Sequence, residues 1–171
     1  MTGFSGESVN HDREHSTKCE IAAEILRSFG SVRLRVTGHS MLPMIWPGDT
    51  LVIEQRNFTQ IVPGDIILYS CHKRLVVHRV LRVSDELENP ALLTQGDAMP
   101  NPDAPVFPAQ LLGRVAKIIR KGRHIHPPAV TAIATRCVAG ILRHSASLSR
   151  LLVHLRTKRR NPPKCEALCQ V

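Results

Sequence analysis

The chain has 171 residues, of which 43% are hydrophobic and only 4% aromatic, and its formal net charge is +9. That length suits one domain with its own core, and the low aromatic content favours strands built from Val, Ile and Leu. The polar N-terminus and the lack of a long apolar stretch lead us to expect neither a signal peptide nor a transmembrane span.

The positive charge is concentrated in the C-terminal third. Residues 1–113 contain 10 basic and 13 acidic residues, whereas residues 114–171 contain 13 basic residues and a single acid, Glu166. This asymmetry predicts a basic appendage on a nearly neutral domain, with an anionic membrane surface as the favoured partner over nucleic acid. A solvated tail without a binding role is the alternative.

The first third of the chain changes from a helical to a strand-like pattern. Residues 1–17 are polar, and the sequence predicts disorder there. In the segment KCEIAAEILRSFG the apolar residues recur at helical spacing, and Gly30 is a natural stop. In SVRLRVTG, from Ser31 onward, apolar and polar residues alternate, which is typical of a half-buried strand.

Two similar units follow, WPGDTLVIE and VPGDIILYS. In each unit Pro-Gly sets a tight turn in which glycine takes a positive φ, and the aspartate can accept hydrogen bonds from turn amides. Asp49 and Asp65 are therefore interpreted as turn formers rather than catalytic groups. The apolar run after each turn predicts a strand.

Three further strands are predicted in LVVHRVLRV (the hairpin partner of IILYS), ALLTQGD and LLGRVAKIIRKG. The four prolines of AMPNPDAPVFP predict an extended loop between the last two. Strands joined by turns without intervening helices indicate a mainly β fold with antiparallel sheets. We place this domain at residues 18–122, between the disordered residues 1–17 and a basic helical tail at residues 123–171.

The tail has the pattern of an amphipathic helix. Arg136, Arg143 and Arg150 recur every seven residues among Ile, Val and Leu, which places an arginine stripe beside an apolar face. Such a helix can lie on an anionic membrane surface, which predicts a peripheral membrane protein. Alternatively it packs on the β domain with its arginines in water, which predicts a soluble cytoplasmic protein.

Ser40 and His78 have the side chains most suggestive of a catalytic site. A serine nucleophile needs a base to remove its proton, and the base works best when a third group orients it. His78 lies inside the apolar strand VVHRVL, where an imidazole is costly to bury without hydrogen-bond partners. These residues alone leave a structural interpretation open, in which Ser40 occupies an ordinary turn and His78 is a buried structural residue.

Four segments, in the right order, resemble the sequence boxes of type I signal peptidases. They are GHSMLPMIWPGD for the nucleophile, VPGDIILYS for the next box, VVHRVL for the general base and TQGDAMPNPD for the last. The third box has His78 where bacterial housekeeping enzymes have lysine, so the chain resembles the Ser–His–Asp branch of archaea and the endoplasmic reticulum. The resemblance covers residues 31–122 and implies the twisted antiparallel sheets of that catalytic fold.

Matched residue by residue, the resemblance implies a role for each candidate. Ser40 is expected to be the nucleophile and His78 the general base of a serine endopeptidase. Asp103 is favoured as the group that orients His78, with Asp97 of the same box in a supporting role, although the choice between the two carboxylates stays open. No cofactor is implied.

The resemblance also implies how substrate is held. Gly38, Met41 and Pro43 are expected to belong to a shallow cleft that takes a protein precursor as an added extended strand, with small residues before the scissile bond. Backbone N–H groups at the serine turn, including that of Ser40, are expected to hold the oxyanion. No metal is expected, since the five cysteines are scattered and the pair Cys165 and Cys169 lacks further ligands nearby.

Three hypotheses for function result. The favoured one is a membrane-associated or soluble serine endopeptidase that processes one particular precursor. A self-cleaving repressor shares the β fold, but its base is lysine and its N-terminal DNA-binding domain needs more than residues 1–30. A non-catalytic binding module is the third hypothesis, and it is disfavoured because all three triad candidates are present.

Overall fold

The computed structural model describes residues 6–84 and 89–127, and side chains of the N-terminal helix from residue 17 onward. Its elements are α1 (Gly6–Phe29), β1 (Ser31–Arg35), β2 (Thr50–Glu54), β3 (Ile66–Cys71), β4 (Arg74–Ser84), β5 (Ala91–Gln95), β6 (Leu111–Arg120) and β7 (Arg123–Ile125). Short 3₁₀ turns lie at Phe58–Gln60 and Pro108–Gln110. The predicted arginine-striped helix and the Cys165–Cys169 pair lie outside the described residues.

The strands form one antiparallel sheet in the order β1-β2-β6-β3-β4-β5, with β7 paired to β6. The prediction of a mainly β, antiparallel fold is confirmed. The predicted hairpin is also confirmed, since β3 and β4 pair in a register that sets Ile67 opposite His78. Strands β1 and β5 lie at the two ends of this order.

Two boundaries differ from the sequence-based expectation. Helix α1 begins at Gly6, so residues 6–17 are helical where the sequence predicts disorder. Their polar composition gives no apolar period, but adding residues to an existing helix costs far less than starting one. Strand β7 continues the sheet beyond residue 122, because Lys121 and Gly122, both at positive φ, form a tight turn that returns the chain against β6.

Within the described residues, no helix combines the length and the apolar character needed to span a membrane.

Both faces of the sheet are covered, and the first four residues of β3 are buried on alternate faces. Ile66 and Leu68 belong to a core shared with α1, β1, β2 and β6. Ile67 and Tyr69 point the other way, into a second core that includes Val80. Side chains alternate between the two faces of a strand, so a strand that is buried on both faces favours apolar residues at successive positions.

The two Pro-Gly-Asp turns form as predicted, and each aspartate accepts a hydrogen bond from a turn amide. Asp49 Oδ2 accepts from the Trp46 N–H at 2.8 Å, and Asp65 Oδ2 accepts from the Val62 N–H at 3.1 Å. The glycines between them take the positive φ that the turn needs, 88° at Gly48 and 98° at residue 64.

The first of these turns is also fastened to β6 by an arginine. Arg120 Nη2 lies 2.7 Å from Asp49 Oδ2 and donates a second hydrogen bond, also 2.7 Å, to the Met44 carbonyl. The second turn has the weaker equivalent, since Arg114 Nη1 lies 3.4 Å from Asp65 Oδ1. The segment that follows Ser40 is therefore held to the centre of the sheet.

We expect Asp49→Asn to lower the free energy of unfolding by about 3 kcal/mol, because it removes one charge of a largely buried ion pair. Asp65→Asn is the matched control and should cost about 1 kcal/mol, since its longer contact is with a more exposed arginine. Urea unfolding measures both. Equal losses would show that the Arg120 contact stabilises the protein no more than the longer Arg114 contact does.

Candidate active site

Ser40 lies in the segment between β1 and β2, and its backbone is fixed by the chain after β5. The Ala98 N–H donates to the Ser40 carbonyl at 2.8 Å. The next two side chains, Met41 and Leu42, are buried, with 4% and 0% of their surface exposed. Ser40 itself is half-buried, so its hydroxyl is held at the surface on a packed support.

His78 reaches Ser40 from strand β4. The imidazole is 7% exposed, with Nε2 at 3.0 Å from Ser40 Oγ and Nδ1 at 2.6 Å from Asp103 Oδ2. A carboxylate only accepts hydrogen bonds, so we assign the proton of the neutral ring to Nδ1. Nε2 then carries a lone pair directed at the serine hydroxyl, which is the arrangement that a general base requires.

Asp103 comes from the proline-rich loop and is fixed by two hydroxyl groups. Its Oδ2 accepts hydrogen bonds from Thr94 Oγ1 at 2.7 Å and from the Tyr69 hydroxyl at 3.1 Å, in addition to His78. Its backbone N–H donates to the Thr94 carbonyl at 2.8 Å. One carboxylate oxygen thus receives three donors, which fixes its position relative to the imidazole.

The sequence analysis does not identify Tyr69 and Thr94 as site residues. The cross-strand register places them beside His78, since Ile67 pairs with His78 and Val80 pairs with Thr94. Burial raises the pKa of the Tyr69 hydroxyl well above its usual value, so the phenol stays protonated and donates. Tyr69 is the only tyrosine, and its position in an apolar strand is a usable signal, because a buried phenol needs a polar partner.

Asp97 has a different partner from Asp103. Its two carboxylate oxygens accept from Nε and Nη2 of Arg79, both at 2.9 Å, and the two side chains are 7% and 6% exposed. Arg79 also donates to the Gly64 carbonyl at 2.9 Å. Of the two candidate carboxylates, the structure therefore brings Asp103 to His78 and places Asp97 in a buried ion pair beneath the site.

Gly96 allows the serine loop to come close to His78 and to the chain after β5. A Cβ on residue 96 would lie 2.7 Å from the Ser40 carbonyl oxygen and 3.0 Å from His78 Nε2. Neither the backbone of the serine loop nor the anchored imidazole can yield at low cost, so a larger residue would push Ser40 and His78 apart.

A groove of about 720 Å³ opens beside Ser40. Its walls come from α1, β1 and the first half of β4, and its lining includes Gly38 and Met41. Pro43 does not line it. Leu42 is buried against Ala98, so the chain has already turned inward at this point and the cis Leu42–Pro43 peptide lies away from the groove.

Comparison with known proteins agrees with this fold. Residues 2–115, two thirds of the chain, match the family described as Peptidase S24-like, which supports a serine peptidase or self-cleaving repressor fold. No curated protein matches the chain at a significant level. The matched segment holds Ser40, His78 and Asp103 together with strands β1 to β5 and the first half of β6. The chain therefore belongs to the Peptidase S24-like family.

Proposed function

We propose that the protein is a serine endopeptidase of the signal peptidase I type, which cleaves after small residues in an extended precursor segment through a Ser–His–Asp mechanism. The observation that carries the proposal is the hydrogen-bonded line from Ser40 Oγ to His78, 3.0 Å, and from His78 to Asp103, 2.6 Å. Membership of the S24-like family supports serine peptidase chemistry on this fold.

The proposed reaction begins with proton transfer from Ser40 Oγ to His78 Nε2 as Oγ attacks the scissile carbonyl carbon. Collapse of the tetrahedral intermediate breaks the C–N bond, and Nε2 returns the proton to the leaving amine. Water, deprotonated by the same nitrogen, then hydrolyses the acyl-enzyme and restores Ser40. Asp103 stabilises the imidazolium that forms twice in this cycle.

The oxyanion needs hydrogen-bond donors close to the nucleophile. Among the contacts of the described residues, the Ser40 backbone N–H has no acceptor, which leaves it available for this role. The Ala98 N–H fixes the Ser40 carbonyl on the other side of the residue, at 2.8 Å, and so limits rotation of the serine backbone.

A serine-directed fluorophosphonate should form one covalent adduct with the folded protein, located on Ser40 by mass spectrometry. Ser40→Ala should abolish the adduct, and His78→Ala should slow its formation by about 10³-fold or more, because the hydroxyl loses its base. Ser31→Ala, at an exposed serine on β1, is the matched control and should react like the wild type.

Absence of an adduct on the folded wild type, or an unchanged adduct on Ser40→Ala, would contradict the proposal. A first-order loss of full-length mass in the wild type, but not in Ser40→Ala, would identify the self-cleaving alternative that the family also accommodates.

Asp103→Asn should lower the acylation rate by about 10³- to 10⁴-fold with little loss of stability, because an amide no longer favours the required tautomer of His78. Asp97→Asn should instead cost about 3 kcal/mol in the free energy of unfolding, because it leaves the Arg79 charge without its partner. Rates are measured with the fluorophosphonate where each variant is folded, and stability by urea unfolding. The reverse pattern would give the orienting role to Asp97.

We also propose that the basic tail holds the enzyme on an anionic membrane surface. The proposal rests on residues 128–171, which contain eight basic residues and a single acid, Glu166. The full chain should sediment with phosphatidylglycerol vesicles and not with phosphatidylcholine vesicles, and salt should release it. A chain ending at Pro127, which keeps β7, is the control, and an unchanged distribution after truncation would remove the membrane role.

A further inference from the structure

The groove beside Ser40 has an apolar floor. It is lined by Leu34 of β1 and Val36 just after that strand, by Leu75 and Val77 of β4, and by Met41 after the serine, and all of them pack on the core beneath the sheet. Such a surface favours aliphatic side chains, since each buried apolar group lowers the free energy of binding in proportion to the area removed from water.

The rim of the groove is cationic. No Asp or Glu is among the residues that line it, whereas four basic residues are: Lys18, Arg33, Arg35 and Arg74. Arg33, Arg35 and Arg74 are exposed, and within the described residues none of them makes an ion pair. Glu54, on the neighbouring strand, pairs with Arg56 at 3.2 Å. Arg33, Arg35 and Arg74 therefore present positive charge that the described part of the chain leaves uncompensated.

Strand β1 supplies the backbone groups for an added strand. It lies at one end of the sheet, and the residues on either side of it, Gly30 and Val36, bond toward β2: the Gly30 carbonyl accepts from the Gln55 N–H and the Val36 N–H donates to the Asp49 carbonyl, both at 2.9 Å. In an antiparallel pair the bonding direction alternates along a strand. The N–H and C=O groups of Arg33, Arg35 and Thr37 therefore face the free edge, in a row that leads to Ser40.

We propose that this groove selects an extended peptide in which aliphatic residues alternate with acidic ones. The inference rests on the proposed peptidase function, because it names the substrate of the same site. A peptide paired with β1 places every second side chain over Leu34 and Val36, where aliphatic groups fit. The intervening side chains stand beside Arg33 and Arg35, and opposite charges on neighbouring strands attract whereas like charges repel.

The alternation comes from the two faces of β1. Val32 is buried and Leu34 half-buried, whereas Arg33 and Arg35 are exposed. A strand added to this edge inherits the same period of two, so its apolar and acidic positions cannot be exchanged without turning the whole segment over. The row of outward backbone groups favours a peptide over a lipid surface, because a lipid surface does not supply a matching row of donors and acceptors.

The test measures binding to full-length Ser40→Ala, so that cleavage is not needed for a result. Three fluorescein-labelled peptides of equal length carry small residues at the centre and alternate Val with Glu, Gln or Lys. Anisotropy should give a Kd for the Glu peptide about tenfold lower than for the Lys peptide, with Gln between them. In about 1 M NaCl the three values should converge.

Charge reversal on β1 supplies the second half of the test. Arg33→Glu with Arg35→Glu should invert the preference, so that the Lys peptide binds more tightly than the Glu peptide. Arg33→Gln with Arg35→Gln, a milder change, should abolish the preference without inverting it. The control, Arg82→Glu with Arg123→Glu, makes the same change in net charge at exposed arginines outside the groove and should keep the original order.

Equal binding of the three peptides, or inversion by the control pair, would overturn the inference. Binding of phosphatidylglycerol vesicles through Arg33 and Arg35, with no peptide bound, would overturn it in favour of a lipid surface. Failure of the peptidase proposal is a separate outcome. In that case the wild-type protein would form no fluorophosphonate adduct, but Ser40→Ala would still bind the Glu peptide more tightly than the Lys peptide.

Discussion

The close approach of three chain segments at Gly96 is the constraint on which the site depends. The serine loop, the imidazole and the chain after β5 meet where a Cβ would lie 2.7 Å from the Ser40 carbonyl and 3.0 Å from His78 Nε2. The same turn supplies the Ala98 N–H that holds Ser40 and leads into the loop that carries Asp103. Ser40, His78 and Asp103 are therefore positioned relative to one short turn.

Each of these groups is supported by a different part of the sheet. Three neighbouring strands present Tyr69, His78 and Thr94 on one face, so the imidazole and the two hydroxyls that fix Asp103 share one rigid support. Ser40 belongs to a loop, but Arg120 of β6 fastens that loop through Asp49. A preorganised arrangement of this kind lowers the reorganisation that proton transfer requires.

The parts of the structure that the sequence predicts are those with local causes. The alternation in β1, the hairpin of β3 and β4 and the Pro-Gly-Asp turns each follow from a period or a dipeptide. The grouping of Ser40, His78 and Asp103 is implied only by the resemblance, since their spacing has no local pattern. Tyr69, Thr94 and the Arg79–Asp97 pair depend on cross-strand register and on a returning loop, which short-range patterns do not encode. The helix over residues 6–17 has no apolar period to reveal it.

The position of α1 bears on whether substrate comes from the same chain. A scissile segment has to be extended to pair with β1, but the residues before β1 are helical as far as Phe29. Ala22 and Leu26 are 3% and 2% exposed, so drawing this segment into the groove would unwind the helix and expose its buried face. Ile21 and Ala22 also form part of the groove wall, and the same rearrangement would remove it. This packing argues against α1 as a scissile segment for the groove of its own chain.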